Sequence, residues 1–77
     1  MSKLPVTSAK ELEKIILRLG FEILRQKGNH KFYKHPDGRY TTIPHHPGED
    51  ISRPLIRAIL RQIEIDTDEY LRLLKEI

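Results

Sequence analysis

The chain has 77 residues, contains no cysteine and carries a formal net charge of +3. Its length allows one small hydrophobic core, so we expect a single domain over residues 1–77. The absence of cysteine excludes disulfides and thiolate metal sites. Residues 1–5 contain no apolar signal region, and no stretch approaches the roughly 20 apolar residues of a membrane span. We therefore expect a cytoplasmic protein without a membrane partner.

The first helix is predicted from its start, its apolar stripe and its end. Ser8 and Glu11 have the spacing of a capping box, in which a hydroxyl and a carboxylate satisfy free N–H groups. Gly20 supplies a left-handed stop, with Phe21 placed to pack on the last turn. The apolar residues between them recur at helical spacing: Leu12, Ile15, Ile16 and Leu19.

Three strands are predicted next, over residues 21–27, 30–34 and 40–44. Gly28 and Asn29 both tolerate positive φ, which predicts a tight turn between the first two strands. The HPDG sequence at residues 35–38 predicts the second turn. Because both connections are short, the strands should form a three-stranded antiparallel meander.

Two further helices are predicted after a loop at residues 45–51. Ser52 should cap the second helix, with Pro54 tolerated in its first turn. Asp66 and Thr67 should cap a short third helix. The expected apolar positions of the two helices are Leu55, Ile56, Ile59, Leu60 and Ile63, then Tyr70, Leu71, Leu74 and Ile77.

The order α-β-β-β-α plus a short α predicts an α+β fold with helices on one face of the sheet. Within the second strand two arrangements remain open. Regular alternation would put Phe32 on the same exposed face as His30, with Tyr33 inside. A bulge after Gly28 would instead reset the parity.

The cationic charge of the chain surrounds a histidine that directly follows the glycine turn. Residues 25–61 contain eight Lys or Arg against three Asp or Glu, and residues 62–77 contain two against five. Clustered positive charge indicates a polyanionic partner, and a merely soluble basic surface is the alternative. Imidazole titrates near neutral pH and can move a proton. The combination suggests a small RNA-cleaving enzyme.

Four segments in this order and spacing resemble the HicA toxins of prokaryotic toxin–antitoxin pairs. They are KGNH (27–30), HPDG (35–38), TIPH (42–45) and IRAILRQ (56–62), and the similarity covers roughly residues 8–65. The resemblance implies a double-stranded-RNA-binding-domain-like fold, cleavage of mRNA in the cytoplasm, and neutralisation by a HicB antitoxin. The family's catalytic histidine follows a Gly-Ser pair and carries over onto His30, where Asn29 stands in place of the serine.

In that role His30 is expected to be a general base that takes a proton from a ribose 2′-hydroxyl, so that the oxygen attacks the adjacent phosphate. Lys27 and Lys31 flank it and are candidates for stabilising the charge on the phosphorane. The other cations expected to contact RNA are Lys34, Arg39, Arg57 and Arg61, the last two lying with Arg53 on one stripe of the second helix.

Three more histidines are candidates for the acid that protonates the leaving group: His35, His45 and His46. Each also has a structural interpretation, in a turn or at the start of a loop. Because adjacent residues of an extended chain point to opposite faces, at most one of the last two can face His30. The histidine spacing matches no common zinc pattern, so we expect no metal and no cofactor. A noncatalytic RNA-binding module and an inactive HicA-like interaction domain remain as alternative functions.

Overall fold

The computed structural model describes residues 4–77, so the part of the N-terminal expectation that concerns residues 1–3 lies outside it. The elements are α1 (Ala9–Arg18), β1 (Glu22–Lys27), β2 (His30–Lys34), β3 (Tyr40–Pro44), α2 (Arg53–Gln62) and α3 (Thr67–Glu76). The predicted α+β fold and element order are confirmed. The third helix was expected to be short, but its 10 residues equal the length of the other two. Within residues 4–77, no helix is long and apolar enough to cross a membrane.

The helix ends follow the sequence signals with one exception. Ser8 Oγ accepts the Glu11 N–H at 3.2 Å, and Gly20 ends α1 with φ at +100°. The Asp66 carboxylate accepts the Glu69 N–H at the start of α3. The prediction for Ser52 is wrong in part: it occupies the N-cap position of α2, but its side chain makes no capping hydrogen bond.

The sheet has the order β1-β2-β3, and all its pairs are antiparallel. β2 and β3 pair without interruption, from His30 opposite Pro44 to Lys34 opposite Tyr40. The register shift lies in β1, between Ile23 and Arg25, and not after the glycine turn. The regular alternation of β2 is therefore the correct alternative.

In the first turn only Gly28 has positive φ, at 59°. Because the first central residue alone has this sign, the two-residue connection follows the type II′ pattern, and the predicted tight turn is confirmed. β1 also begins one residue later than predicted, since Phe21 is buried in the core and forms no strand pair.

Both flanking helices lie on the same face of the sheet, which we call the inner face. The Tyr33 hydroxyl donates to Glu13 of α1 at 2.6 Å, and Thr41 Oγ1 donates to Gln62 of α2 at 2.7 Å. Tyr33, Thr41 and the neighbouring Ile43 are fully buried there. The opposite side of the sheet is the outer face, and no helix within residues 4–77 covers it.

α3 completes the core and holds the N-terminal segment. Tyr70 and Leu73 are its buried residues, whereas Leu71, which we expected on the apolar face, is only half-buried. The Tyr70 hydroxyl donates to the Pro5 carbonyl at 2.7 Å. Because Leu4 is also buried, this segment is part of the packed structure.

Candidate nucleic-acid interface

The strand register arranges the outer face as three cross-strand rows. The rows are Lys27, His30 and Pro44; then Arg25, Phe32 and Thr42; then Glu22, Lys34 and Tyr40. Three of these nine side chains are permanently cationic and one is a carboxylate. The carboxylate occupies the row farthest from His30, so the surface around the histidine is positive.

His30 is exposed at the first position of β2, directly opposite Lys27. The turn before it is fixed by two hydrogen bonds. The Gln26 side-chain amide donates to the Gly28 carbonyl at 3.0 Å, and the His45 N–H donates to the Asn29 carbonyl at 2.6 Å. An exposed imidazole on a fixed turn beside a cation is well placed to take a proton from a hydroxyl group of a bound polyanionic ligand.

Lys31 does not share this surface. Its Nζ lies 3.0 Å from Glu13 Oε1 on the inner face, and its side chain is only 23% exposed. The expectation that it flanks His30 is not met, because adjacent residues of a regular strand point to opposite faces.

Arg39 is held in the structure by three contacts. Its Nε lies 2.9 Å from an Asp37 carboxylate oxygen, its guanidinium lies 5.1 Å from the Phe21 ring centroid, and Nη1 donates to the Ile63 carbonyl. These contacts tie the second turn to the core and to the end of α2. With Nε and Nη1 engaged and the side chain only 19% exposed, Arg39 is poorly placed for the RNA contact that the sequence predicts.

Arg57 and Arg61 are exposed on α2 and line an open groove with Arg53. Because α2 packs on the inner face, this stripe belongs to the helical side of the molecule and does not extend the surface around His30. Arg53 is partly engaged, since its Nε donates to the Leu4 carbonyl.

A hydrogen-bonded cluster, which we call the Glu13 network, lies on the inner face beneath the glycine turn. The His45 Nε2–H donates to the Tyr33 hydroxyl at 2.8 Å, and that hydroxyl donates to Glu13 Oε1 at 2.6 Å. The same carboxylate oxygen accepts from Lys31. His45 is therefore occupied on the face opposite to His30.

Burial and hydrogen bonding together move the pKa values of Glu13, Tyr33 and His45 from their ordinary values. Burial alone would raise the pKa of Glu13, but the hydrogen bonds from Tyr33 and Lys31 outweigh it and lower that pKa. Burial, reinforced by Glu13, raises the pKa of Tyr33. Burial and the charge of Lys31 lower the pKa of His45, against the opposing effect of Glu13. At neutral pH the cluster thus contains a carboxylate, a phenol and a neutral imidazole.

The two remaining histidines differ in their surroundings. His35 Nε2 donates to the Leu19 carbonyl at 3.1 Å, and its Nδ1 accepts the Asp37 N–H, so the ring connects the second turn to the end of α1. His46 is exposed in the loop, two residues beyond the partner of His30. Among residues 4–77, no three His, Asp or Glu side chains are grouped as a metal ion would require.

Sequence reasoning missed two planar side chains on the outer face. Arg25 Cζ lies 4.7 Å from the Phe32 ring centroid, and the Tyr40 ring centroid lies 6.3 Å from Phe32 on the other side. Counting the register from the second turn would have placed Tyr40 opposite Lys34, diagonal to Phe32. The place of Arg25 depends on the bulge in β1, for which the sequence carries no clear signal.

Comparison with known families gives one match. The family model described as "HicA toxin of bacterial toxin-antitoxin" matches residues 9–65, which include α1, the whole sheet and α2. No curated protein matches the chain.

Proposed function

The chain belongs to the HicA toxin family, and from that premise we propose that it is an endoribonuclease that cleaves mRNA in the cytoplasm as the toxin of a type II toxin–antitoxin pair. The observation that carries the proposal is the exposed His30 on a fixed turn, opposite Lys27. Among the nine side chains that the strands place on this face, the one carboxylate lies in the row farthest from His30. This is a positive surface with an exposed imidazole at its edge, which suits a phosphodiester substrate.

In the proposed reaction an imidazole nitrogen of His30 takes the proton of a ribose 2′-hydroxyl. The 2′-oxygen then attacks the adjacent phosphorus, and the bond from phosphorus to the 5′-oxygen breaks. The products are a 2′,3′-cyclic phosphate and a 5′-hydroxyl. Lys27 is placed to stabilise the charge that develops on the phosphorane oxygens. Because the attacking oxygen is the 2′-hydroxyl, DNA is not a substrate.

The leaving 5′-oxygen needs a proton. His35 and His45 are held by the hydrogen bonds described above, and both are turned away from the outer face. We therefore assign this proton to His46, the exposed imidazole of the three candidates.

The test uses purified His30→Gln, which keeps a polar side chain of similar size. Because His30 is exposed and outside the core, the variant should keep the circular dichroism and unfolding midpoint of the wild type. It should lose RNA cleavage, and its induction in cells should no longer stop growth. A folded His30→Gln that cleaves RNA at the wild-type rate would refute the catalytic assignment. Wild-type protein that binds RNA and does not cleave it would identify a noncatalytic binding module.

The substrate surface is tested by a matched pair of double variants. Lys27→Gln with Lys34→Gln removes two charges from the outer face, and Arg57→Gln with Arg61→Gln removes two from the helical side. For single-stranded RNA the first pair should lower the slope of log K against log salt by about 1.4, or roughly 0.7 for each lost phosphate contact. The second pair should leave the slope unchanged. Equal slopes in the two pairs would contradict the assignment of RNA to the outer face.

We further propose a HicB-like antitoxin that covers His30. Within residues 4–77 no helix covers the outer face, so an acidic partner bound there would block the substrate and associate rapidly. Hydrogen exchange of the complex should show protection of the β1–β2 turn at residues 27–31. Protection confined to α2 and α3, with the turn still exchanging freely, would rule out direct masking.

A further inference from the structure

We propose that Arg25, Phe32 and Tyr40 form a subsite in which a nucleobase of single-stranded RNA stacks within two nucleotides of the cleaved phosphate. The inference rests on the proposed function, and it adds a site that neither the histidine nor the lysines supply. Each strand of the sheet contributes one planar group to it. Arg25 and Phe32 lie in the row adjacent to that of His30, and Tyr40 lies diagonal to Phe32 in the next row.

The geometry leaves one aromatic surface open. The Arg25 guanidinium covers Phe32 from one side, and the Tyr40 ring lies beside it at an interplanar angle of 35°. Phe32 is consequently half-buried, whereas Tyr40 is 44% exposed. A base can stack on the Tyr40 ring or on the outward plane of the Arg25 guanidinium, since both kinds of surface stack on nucleobases.

The position of the subsite fits a strand of RNA that runs along β2. Phe32 is two residues from His30, and a strand rises about 3.3 Å per residue, so the two side chains are about 7 Å apart along the strand. One extended nucleotide covers a similar length. A phosphate at His30 therefore puts the neighbouring base over Arg25 and Phe32, and the base after it over Tyr40, which lies opposite Lys34 about 13 Å along the strand.

The chemistry favours a single strand over a duplex. Bases inside an A-form helix are stacked on one another and cannot reach a side chain on an open sheet. Every base has a π-face, so the subsite should tolerate sequence and act mainly through affinity. Its effect on cleavage is to hold the substrate, and the proton transfer is left to His30.

The test compares Tyr40→Leu, which removes the ring, with Tyr40→Phe, which keeps it. The probe is a fluorescent single-stranded RNA of eight nucleotides with 2′-O-methyl groups at every position, which cannot be cleaved by 2′-hydroxyl attack. Tyr40→Leu should bind it about 5- to 150-fold more weakly, and Tyr40→Phe within twofold of the wild type. The salt slope should be equal in all three proteins, because no phosphate contact is lost.

A second arm changes the RNA and leaves the protein intact. An otherwise identical probe with abasic sugars in place of all bases should bind wild-type protein more weakly, by a factor similar to that of Tyr40→Leu. The abasic probe should not distinguish Tyr40→Leu from the wild type. Equal binding of the two probes by wild-type protein would overturn the subsite even if the Tyr40 variant failed to fold.

The two proposals fail in different ways. With cleavable RNA, Tyr40→Leu should raise KM and leave kcat unchanged. An unchanged KM in a folded Tyr40→Leu would overturn the subsite and leave the nuclease in place. Ring-dependent binding of the uncleavable probe by a wild-type protein that cleaves no RNA would support the subsite and overturn the nuclease.

Discussion

Removing the hydroxyl of Tyr33 should destabilise the fold more than removing that of Tyr70, although both rings are fully buried. Tyr33→Phe loses a bond to the ionised Glu13 and a bond from His45, whereas Tyr70→Phe loses one bond to a backbone carbonyl. A bond to a charged group contributes about 1.5–3 kcal/mol and a neutral one about 0.5–1.5 kcal/mol. Water replaces part of the loss at Glu13, whose side chain is 17% exposed.

We therefore expect the free energy of unfolding to fall by about 2 kcal/mol in Tyr33→Phe and by about 1 kcal/mol in Tyr70→Phe. In a domain of this size the larger loss lowers Tm by about 8–16 °C. The loss of unfolding free energy in Tyr33→Phe should depend on pH. The pKa of Glu13 is lowered in the folded state, so its stabilising contribution is complete above its ordinary value of 4.5 and is lost as pH falls through the folded pKa.

The difference in unfolding free energy between wild type and Tyr33→Phe should accordingly become smaller below pH 4.5. The corresponding difference for Tyr70→Phe should stay constant there. Urea unfolding followed by circular dichroism at pH 7 and at several acid values measures both. A His30→Gln background removes the proposed toxicity and leaves the inner face unchanged. Equal losses for the two tyrosines at pH 7, or a Tyr33→Phe difference that does not depend on pH, would refute the charged hydrogen bond as the cause.

Three further predictions concern stability and use the same unfolding assay. The lowered pKa of His45 means that the unfolded state takes up its proton first as pH falls below 6.5, so wild-type stability should decline there and His45→Gln should decline less. Leu73→Ala should cost about 2–5 kcal/mol, and Leu71→Ala clearly less, because only the former is buried. Gly20→Ala should cost more than Gly38→Ala: φ is +100° and +101°, but only at the first position does the new methyl group meet an imidazole nitrogen, at 3.0 Å.

The fold was largely predictable because its signals are local. The glycine turn, the HPDG turn and the cap at Ser8 each act within four residues and fix where elements begin and end. The details that could not be predicted are those that depend on residues distant in the sequence. The sequence could not show which alternation of β2 was correct, because the bulge that disturbs the sheet lies in β1.

The candidate site was less predictable, because the sequence shows which residues are charged but not which residues their side chains contact. Lys31 and Arg39 have the composition of RNA contacts, yet their partners Glu13 and Ile63 lie 18 and 24 positions away in the chain. His30 and Lys27 could be paired from the sequence, because a two-residue turn puts its flanking residues opposite each other.

The contacts of Leu4 and Pro5 affect the order in which a chain folds during its synthesis. The carbonyls of Leu4 and Pro5 accept hydrogen bonds from Arg53 and Tyr70, which lie 49 and 65 positions later. During translation these contacts cannot form until α2 and α3 have left the ribosome. The strands of the sheet are joined by turns of two and five residues, so they can pair before α2 and α3 are synthesised. The strand pairs that position His30 can thus form before Leu4 and Pro5 reach their partners.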